Sequence, residues 1–213
     1  MTFKQIIWDW NGTILDDTDL NHESTCVVLE KHGLPPITLD YYRNNLRFPL
    51  TPFYEKLGLM NETRDFAEIA EDFYAHYCKK FIADISLHEN VLDIIKRGAD
   101  LNLEQTILSA RSHDSLLEEV EHFTLSQYFS KVQGSIKGEE HKGKLDYANR
   151  VLSDYDPKEV VMIGDTIHDY EIADALGIHS ILIAKGINSR KLLEETPAEI
   201  LDSHAELAEI LFK

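Results

Sequence analysis

The stretch Ile6-Ile7-Trp8-Asp9-Trp10-Asn11-Gly12-Thr13-Ile14-Leu15 sets the frame for the whole chain. Residues 4–8, with the apolar Ile6-Ile7-Trp8, read as a buried strand that ends at a carboxylate, Asp9. Gly12 then permits a tight turn whose backbone N–H groups can point at an anion. Alone, the segment reads equally as an Asp-x-Asn-Gly turn ending any α/β strand and as a reactive carboxylate delivered to a sheet edge. The pattern recurs at Val160-Val161-Met162-Ile163-Gly164-Asp165-Thr166-Ile167-His168-Asp169. There Asp165 ends an apolar strand and Asp169 lies on the turn that follows. Magnesium is typically held by one or two carboxylates with phosphate oxygens and water. The competing reading makes Asp165 a helix cap and Asp169 an acid favoured by the helix dipole.

Between these segments strands and helices alternate. Residues 91–96 read as a helix closed by Gly98, 105–108 as a strand ending at Ser109, and 115–123 as a helix. A short strand is expected around Val132, a helix over 145–152, a helix over 170–176 stopped by Gly177, and a strand over 180–184. Such alternation predicts a doubly wound parallel α/β sheet, whose site forms beyond the C-terminal strand ends. Asp9, Ser109 and Asp165 should therefore meet at one edge. Residues 17–87 interrupt the pattern and read as almost entirely helical. Gly33 stops one helix and Pro35-Pro36 bars its continuation. Phe66, Ile69, Ala70, Phe73, Tyr77 and Phe81 form the apolar face of another. The expected division is a core of residues 1–16 and 88–213 with a helical domain at 17–87.

Composition excludes several classes. Hydrophobic residues make up 43% and charged residues 28% of 213, an ordinary globular mixture. With 21 basic and 38 acidic residues the net charge is −17, which repels nucleic acid and anionic membranes. No apolar run approaches the ~20 residues that span a bilayer, and the first strand begins too early for a signal peptide. Cys26 and Cys78 are too few for a disulfide framework and are expected to be buried thiols. A soluble, cytoplasmic protein with reduced thiols fits these bounds, and its field also repels phosphate esters at long range. The ten histidines invite a zinc site, His168 above all, yet no His-x-x-x-His or Cys-x-x-Cys spacing supports one.

Asp9 to Leu15, Ser109, Lys144 and Gly164 to Asp169 together resemble the motifs of the haloacid dehalogenase-like superfamily. Leu125 to Phe129 and Ala173 to Gly177 agree with that resemblance, which spans residues 6–211. It implies a magnesium-dependent phosphatase with Asp9 as nucleophile and with Ser109 and Lys144 on the phosphoryl oxygens. Lys142 competes with Lys144 in His141-Lys142-Gly143-Lys144. The implied metal ligands are Asp9, the backbone carbonyl of Asn11, Asp165 and Asp169. Gly12, Thr13 and Ala110 are expected against the substrate. The 17–87 insertion is similar to the helical cap of the phosphoglycolate phosphatase-like branch, with Arg47 or Arg111 meeting an anionic substrate tail.

One position departs from the pattern. Phosphatases of the superfamily usually carry a second Asp two residues after the nucleophile, as general acid and base; here it is Asn11. An amide cannot shuttle a proton, and losing general acid–base catalysis typically costs ~10²–10⁴ in rate. Acyl and aryl phosphates would suffer least. His168 is a candidate substitute donor. A phosphate-binding protein without turnover and a phosphonoacetaldehyde hydrolase-like enzyme are the alternatives. The latter needs a cap lysine, and residues 41–50 contain Arg43 and Arg47 but no lysine, Lys56 lying just beyond.

Overall fold

Every residue of β1 (Gln5–Trp8) is buried, because the strand lies mid-sheet with helices on both faces. The computed structural model describes residues 3–62, 64–139, 142–152 and 154–212. β2 (Leu15–Asp16) follows the turn after β1 and pairs antiparallel with β3 (Ser86–Leu87). Next come β4 (Glu104–Ser112), β5 (Lys131–Ser135), β6 (Val160–Gly164), β7 (His179–Ile183) and β8 (Glu199–Leu201). Six of these strands form one parallel sheet in the order β5-β4-β1-β6-β7-β8.

Alternate side chains sort to the two faces, as a period of two demands. Ile6, Trp8, Ile107, Val161 and Ile163 pack toward α5 (Val91–Asp100) and α6 (His113–His122). Ile7, Leu108, Val160 and Met162 pack toward α7 (Lys144–Val151) and α8 (Ile167–Leu176). The switch between β4 on one side of β1 and β6 on the other opens the crevice in which doubly wound sheets place their sites.

Between β2 and β3 the chain forms α1 (Thr18–Lys31), α2 (Leu39–Asn45), α3 (Thr51–Lys56) and α4 (Phe66–Asp84). Gly33 ends α1 at a φ of 71°, and the Leu34 N–H returns to the Leu29 carbonyl. Val28, Leu29, Tyr42, Leu46, Leu59 and Ile69 make a separate core, joined by Ile187 from the loop after β7. That loop also ties the helices to the sheet. Asn188 Nδ2 donates to the Leu46 carbonyl at 3.0 Å, and Ser189 N donates to the Arg43 carbonyl at 3.0 Å.

Several local expectations are corrected. Gly98 does not close α5, which runs on to Asp100. A Cβ there would stand 3.1 Å from the Gln105 amide, which accepts from Trp8 Nε1 and donates to the Ile95 carbonyl. β4 does not stop at Ser109: its register on β5 shifts between Leu108 and Ser112, and pairing then resumes. β8 lies at the sheet edge where no strand was expected. Cys78 is exposed and Cys26 only half-buried. Phe66, assigned to an apolar face, is 41% exposed.

Candidate active site

Three carboxylates converge beyond the C-terminal strand ends. β1 presents Asp9, β6 presents Asp165, and the first turn of α8 presents Asp169; oxygens of all three lie within 4.8 Å of one another. All are buried, as is Lys144 from the start of α7. Its Nζ donates to Asp9 Oδ1 at 2.5 Å and to Asp169 Oδ1 at 2.6 Å. Asp165 accepts from Thr13 Oγ1 at 2.9 Å and from the Ile187 N–H at 2.6 Å. Asp169 also accepts from Thr166 Oγ1 at 2.6 Å and from the Thr166 N–H at 3.0 Å, while its own N–H donates to Thr166 Oγ1 at 3.4 Å, the capping box that opens α8.

Glycines make this approach of carboxylate to backbone possible. A Cβ on Gly12 or Gly186 would stand 2.2 Å from Asp165 Oδ2, and one on Gly164 would stand 2.3 Å from Asp169. Among the described residues one lysine, bonded to Asp9 and Asp169, stands against three buried carboxylates, so negative charge is in excess. Burial pushes the Asp9 carboxyl up to about 6, aided by Asp169 and opposed by Lys144. Asp165 is driven well above the usual range by burial and by its two acidic neighbours. Asp169 falls below it, because Lys144 and Thr166 outweigh its desolvation. An all-oxygen donor set with surplus negative charge suits a hard divalent cation such as magnesium. Among the described residues the potential metal-ligand group contains no histidine.

A second buried acid, Asp17, lies beside this centre and was not singled out from the sequence. It stands at the N-cap of α1, yet its side chain turns back to the loop after β1. Oδ1 accepts from the Gly12 N–H at 2.8 Å. Oδ2 accepts from Asn11 Nδ2 at 2.6 Å, Asn21 Nδ2 at 2.8 Å and the Tyr77 hydroxyl at 2.7 Å. The Asn11 amide is thereby fixed to Asp17 and sits 3.1 Å from the Tyr77 hydroxyl. Burial raises the Asp17 carboxyl above its ordinary range, against the pull of these donors.

The remaining expected site residues divide. Ser109 is buried, its Oγ accepting from the Arg111 N–H at 3.1 Å. Lys142 pairs with Glu139 at 2.7 Å, so of the two lysines only Lys144 reaches the carboxylates. The Gly12 N–H, expected to face a phosphoryl group, is engaged by Asp17, and the Thr13 hydroxyl by Asp165. Arg47 is half-exposed and pairs with Glu195 at 2.8 Å on the surface, outside the cavity described below. Arg111 is buried and pairs with Glu119 at 2.7 Å. His168 pairs with Glu171 at 3.2 Å and stacks on Phe48. Two further histidines hold the loop: His88 Nε2 lies 3.0 Å from the Gly12 carbonyl and His204 Nε2 lies 2.8 Å from the Thr13 carbonyl, the rings stacked at 4.9 Å.

Beneath the helices and bordered by Asn11 lies a cavity of about 360 Å³. Tyr42, Phe48, Tyr54, Phe73 and Tyr74 supply much of its wall, and Ala110 and Arg111 reach it from β4. No helix among the described residues is long and apolar enough to cross a membrane.

Comparison with known proteins agrees with this architecture. Residues 6–183 match the model of the haloacid dehalogenase-like hydrolase family. "Putative pyrophosphatase PpaX" of Caldanaerobacter subterraneus is 23% identical, covering 99% of this chain and 96% of its own. A phosphoglycolate phosphatase of Rhodobacter capsulatus is 21% identical over 88% of this chain and 87% of its own. The solved structure of protein tyrosine kinase A from Mycobacterium tuberculosis shares the fold, with a TM-score of 0.80 at 20% identity over 100% of this chain and 99% of that one. The match takes in most of the chain, from β1 through β7: the chain belongs to the haloacid dehalogenase-like hydrolase family.

Proposed function

We propose that the chain is a magnesium-dependent phosphohydrolase of small phosphorylated metabolites, with Asp9 as nucleophile. The observation that carries this reading is the buried Asp9–Asp165–Asp169 cluster with Lys144 paired to Asp9 and Asp169. The names of the pyrophosphatase and phosphoglycolate phosphatase relatives support it. Asp9, the backbone carbonyl of Asn11, Asp165 and Asp169 would hold magnesium. When bound, that ion supplies positive charge to the phosphoryl oxygens. Lys144 and Ser109 would orient those oxygens for in-line attack. An Asp9 carboxylate oxygen bonds to phosphorus as the ester bond breaks, and water then hydrolyses the aspartyl phosphate. Residues 1–16 and 88–213 would form the catalytic core, with 17–87 as the cap that selects substrate.

Asn11 limits the reaction. Its amide, fixed to Asp17, donates a hydrogen bond but no proton, so leaving groups that need protonation should react slowly. A Schiff-base route is not supported: Lys56 Nζ bonds Asn45 Oδ1 at 2.9 Å and does not line the cavity. The test is phosphate release with magnesium. Asp9→Asn should lower it by at least about a thousandfold, as loss of a nucleophile does. Undiminished release from Asp9→Asn, or in excess chelator, rejects the mechanism. Phosphate binding with no turnover of any ester would identify a binding protein instead.

A further inference from the structure

We propose that the cavity beside Asn11 selects aryl phosphate monoesters, whose aromatic leaving group it encloses. This rests on the phosphohydrolase reading and names its substrate class. The walls offer ring faces and aliphatic side chains, among them Tyr42, Leu46, Phe48, Leu50, Tyr54 and Phe73. At about 360 Å³ the space exceeds the ~150 Å³ apolar void that accepts a benzene molecule.

Several polar groups at its edge are already committed. Asn11, Asn21 and Tyr77 all donate to Asp17. Among the described residues Arg111 is the cation that lines it; its Nε donates to Glu119 Oε1 at 2.8 Å, and its guanidinium lies over Tyr74 at 4.8 Å and Tyr77 at 5.2 Å. A substrate with a second carboxylate or phosphate would have to take Arg111 from a buried partner and approach Asp17 and Glu119. A polyol would leave hydroxyls against ring faces. An aromatic ring needs neither exchange and stacks on rings already present.

Chemistry and cavity then agree. As Asp9 bonds to phosphorus, the aryl oxygen departs with the bonding pair as a phenolate. A phenol titrates near ~10, so this oxygen leaves without the proton that Asn11 lacks and is protonated afterwards by water. Water next attacks phosphorus in the aspartyl phosphate. The bond to Asp9 breaks with its pair returning to the carboxylate, and the proton of the water leaves with the phosphate. The products are a phenol, inorganic phosphate and the original Asp9.

The experiment is a panel assayed with the full chain in saturating magnesium: 1-naphthyl phosphate, phenyl phosphate, acetyl phosphate, glycerol phosphate and phosphoglycolate. The expected result is a kcat/KM at least tenfold higher for both aryl esters than for the two alkyl esters, with a lower KM for naphthyl than for phenyl phosphate. A preference for phosphoglycolate or glycerol phosphate overturns the proposal. Asp9-dependent hydrolysis of acetyl phosphate without any aryl preference overturns it while leaving the phosphohydrolase reading intact. No turnover of any compound overturns both. A binding measurement independent of turnover accompanies it. 1-Naphthylmethylphosphonate, which has no bond to hydrolyse, should raise the Tm of the wild type and should do so less in Phe73→Asp. Phosphonoacetate should shift neither. Equal shifts from the two phosphonates in the wild type count against the proposal.

Discussion

Two buried acidic centres lie side by side, joined by the loop after β1, and they balance their charge differently. In the first, Asp9 and Asp169 share the Lys144 ammonium, whereas Asp165 pairs with no cation among the described residues, and the three keep an excess of negative charge. Asp17 has no ion-pair partner among the described residues and is satisfied by neutral donors from Asn11, Gly12, Asn21 and Tyr77. Buried charge is costly unless paired or hydrogen-bonded. The first centre meets that requirement only in part, which leaves room for a divalent ion. The second meets it with the protein alone, which suits a structural anion that positions Asn11.

Metal removal should therefore act on one centre and spare the other. At a hundred times its Kd, magnesium should stabilise the wild type by about 2.7 kcal/mol, roughly 5–10 °C in Tm. Asp165→Asn should abolish that shift and lower turnover by at least about a hundredfold, since a bound cation supplies several kcal/mol to the transition state. Asp17→Asn should keep the magnesium-induced shift even if its baseline Tm falls. Differential scanning fluorimetry with and without chelator checks both. If Asp165→Asn retains the shift, or Asp17→Asn loses it, the contrast between the centres is wrong.

A smaller effect is expected from moving charge between them. Asn11→Asp would restore the usual acid–base residue, yet it places a carboxylate against Asp17, where the amide now sits at 2.6 Å. The pair would share a proton and titrate as a unit, and the variant should lose about 2 kcal/mol at neutral pH. Asn11→Asp combined with Asp17→Asn returns one carboxylate and one amide to the same pair. That double variant should recover most of the stability and gain up to about a hundredfold on alkyl phosphates, with less gain on aryl esters. Urea unfolding and kinetics on both ester classes test it. Full stability of Asn11→Asp alone would show that Asp17 is not charged. Mass spectrometry of the Asn11-Gly12 peptide must come first, because deamidation there would mimic the variant.

The first centre was legible because local patterns announce it. Short apolar strands ending in Asp9 and Asp165 define one sheet edge, and Asp169 follows within a helical turn. Lys144 was legible only as one of two, since chain spacing does not say which lysine turns inward. Asp17 was not legible: its partner Tyr77 lies 60 residues away on another helix. Arg47 misled for the same reason, since nothing near it announces Glu195. β8 is three residues long, too short for periodicity to register. Gly98 read as a helix stop because its actual cause, the Gln105 side chain, sits on another element.

The smallest expected effect probes the loop that joins the centres. Gly12 donates to Asp17 and Thr13 donates to Asp165, while His88 and His204 meet the carbonyls of the same two residues. Burial, then the neighbouring His88, lowers His204 from 6.5 to about 4, and burial lowers His88 as well despite Asp16. A group held below its unfolded pKa adds stability above that value and loses it as pH falls toward the folded one. The window for His204 is thus pH 6.5 down to about 4. By pH 5.5 the lost contribution should reach about 1 kcal/mol relative to neutral pH. Asp9 acts in the opposite sense, because its carboxyl is raised to about 6 and its protonation on acidification is favoured in the fold. The net curve of the wild type alone is therefore uninformative, and the difference between variants is the proper measurement. His204→Gln retains an N–H for the Thr13 carbonyl but does not titrate. Its stability should fall less than that of the wild type between pH 7 and 5.5, by that ~1 kcal/mol, with Asp9 common to both. Parallel curves would mean that His204 is not held neutral, and that the loop between the two centres tolerates a charged imidazole at its back.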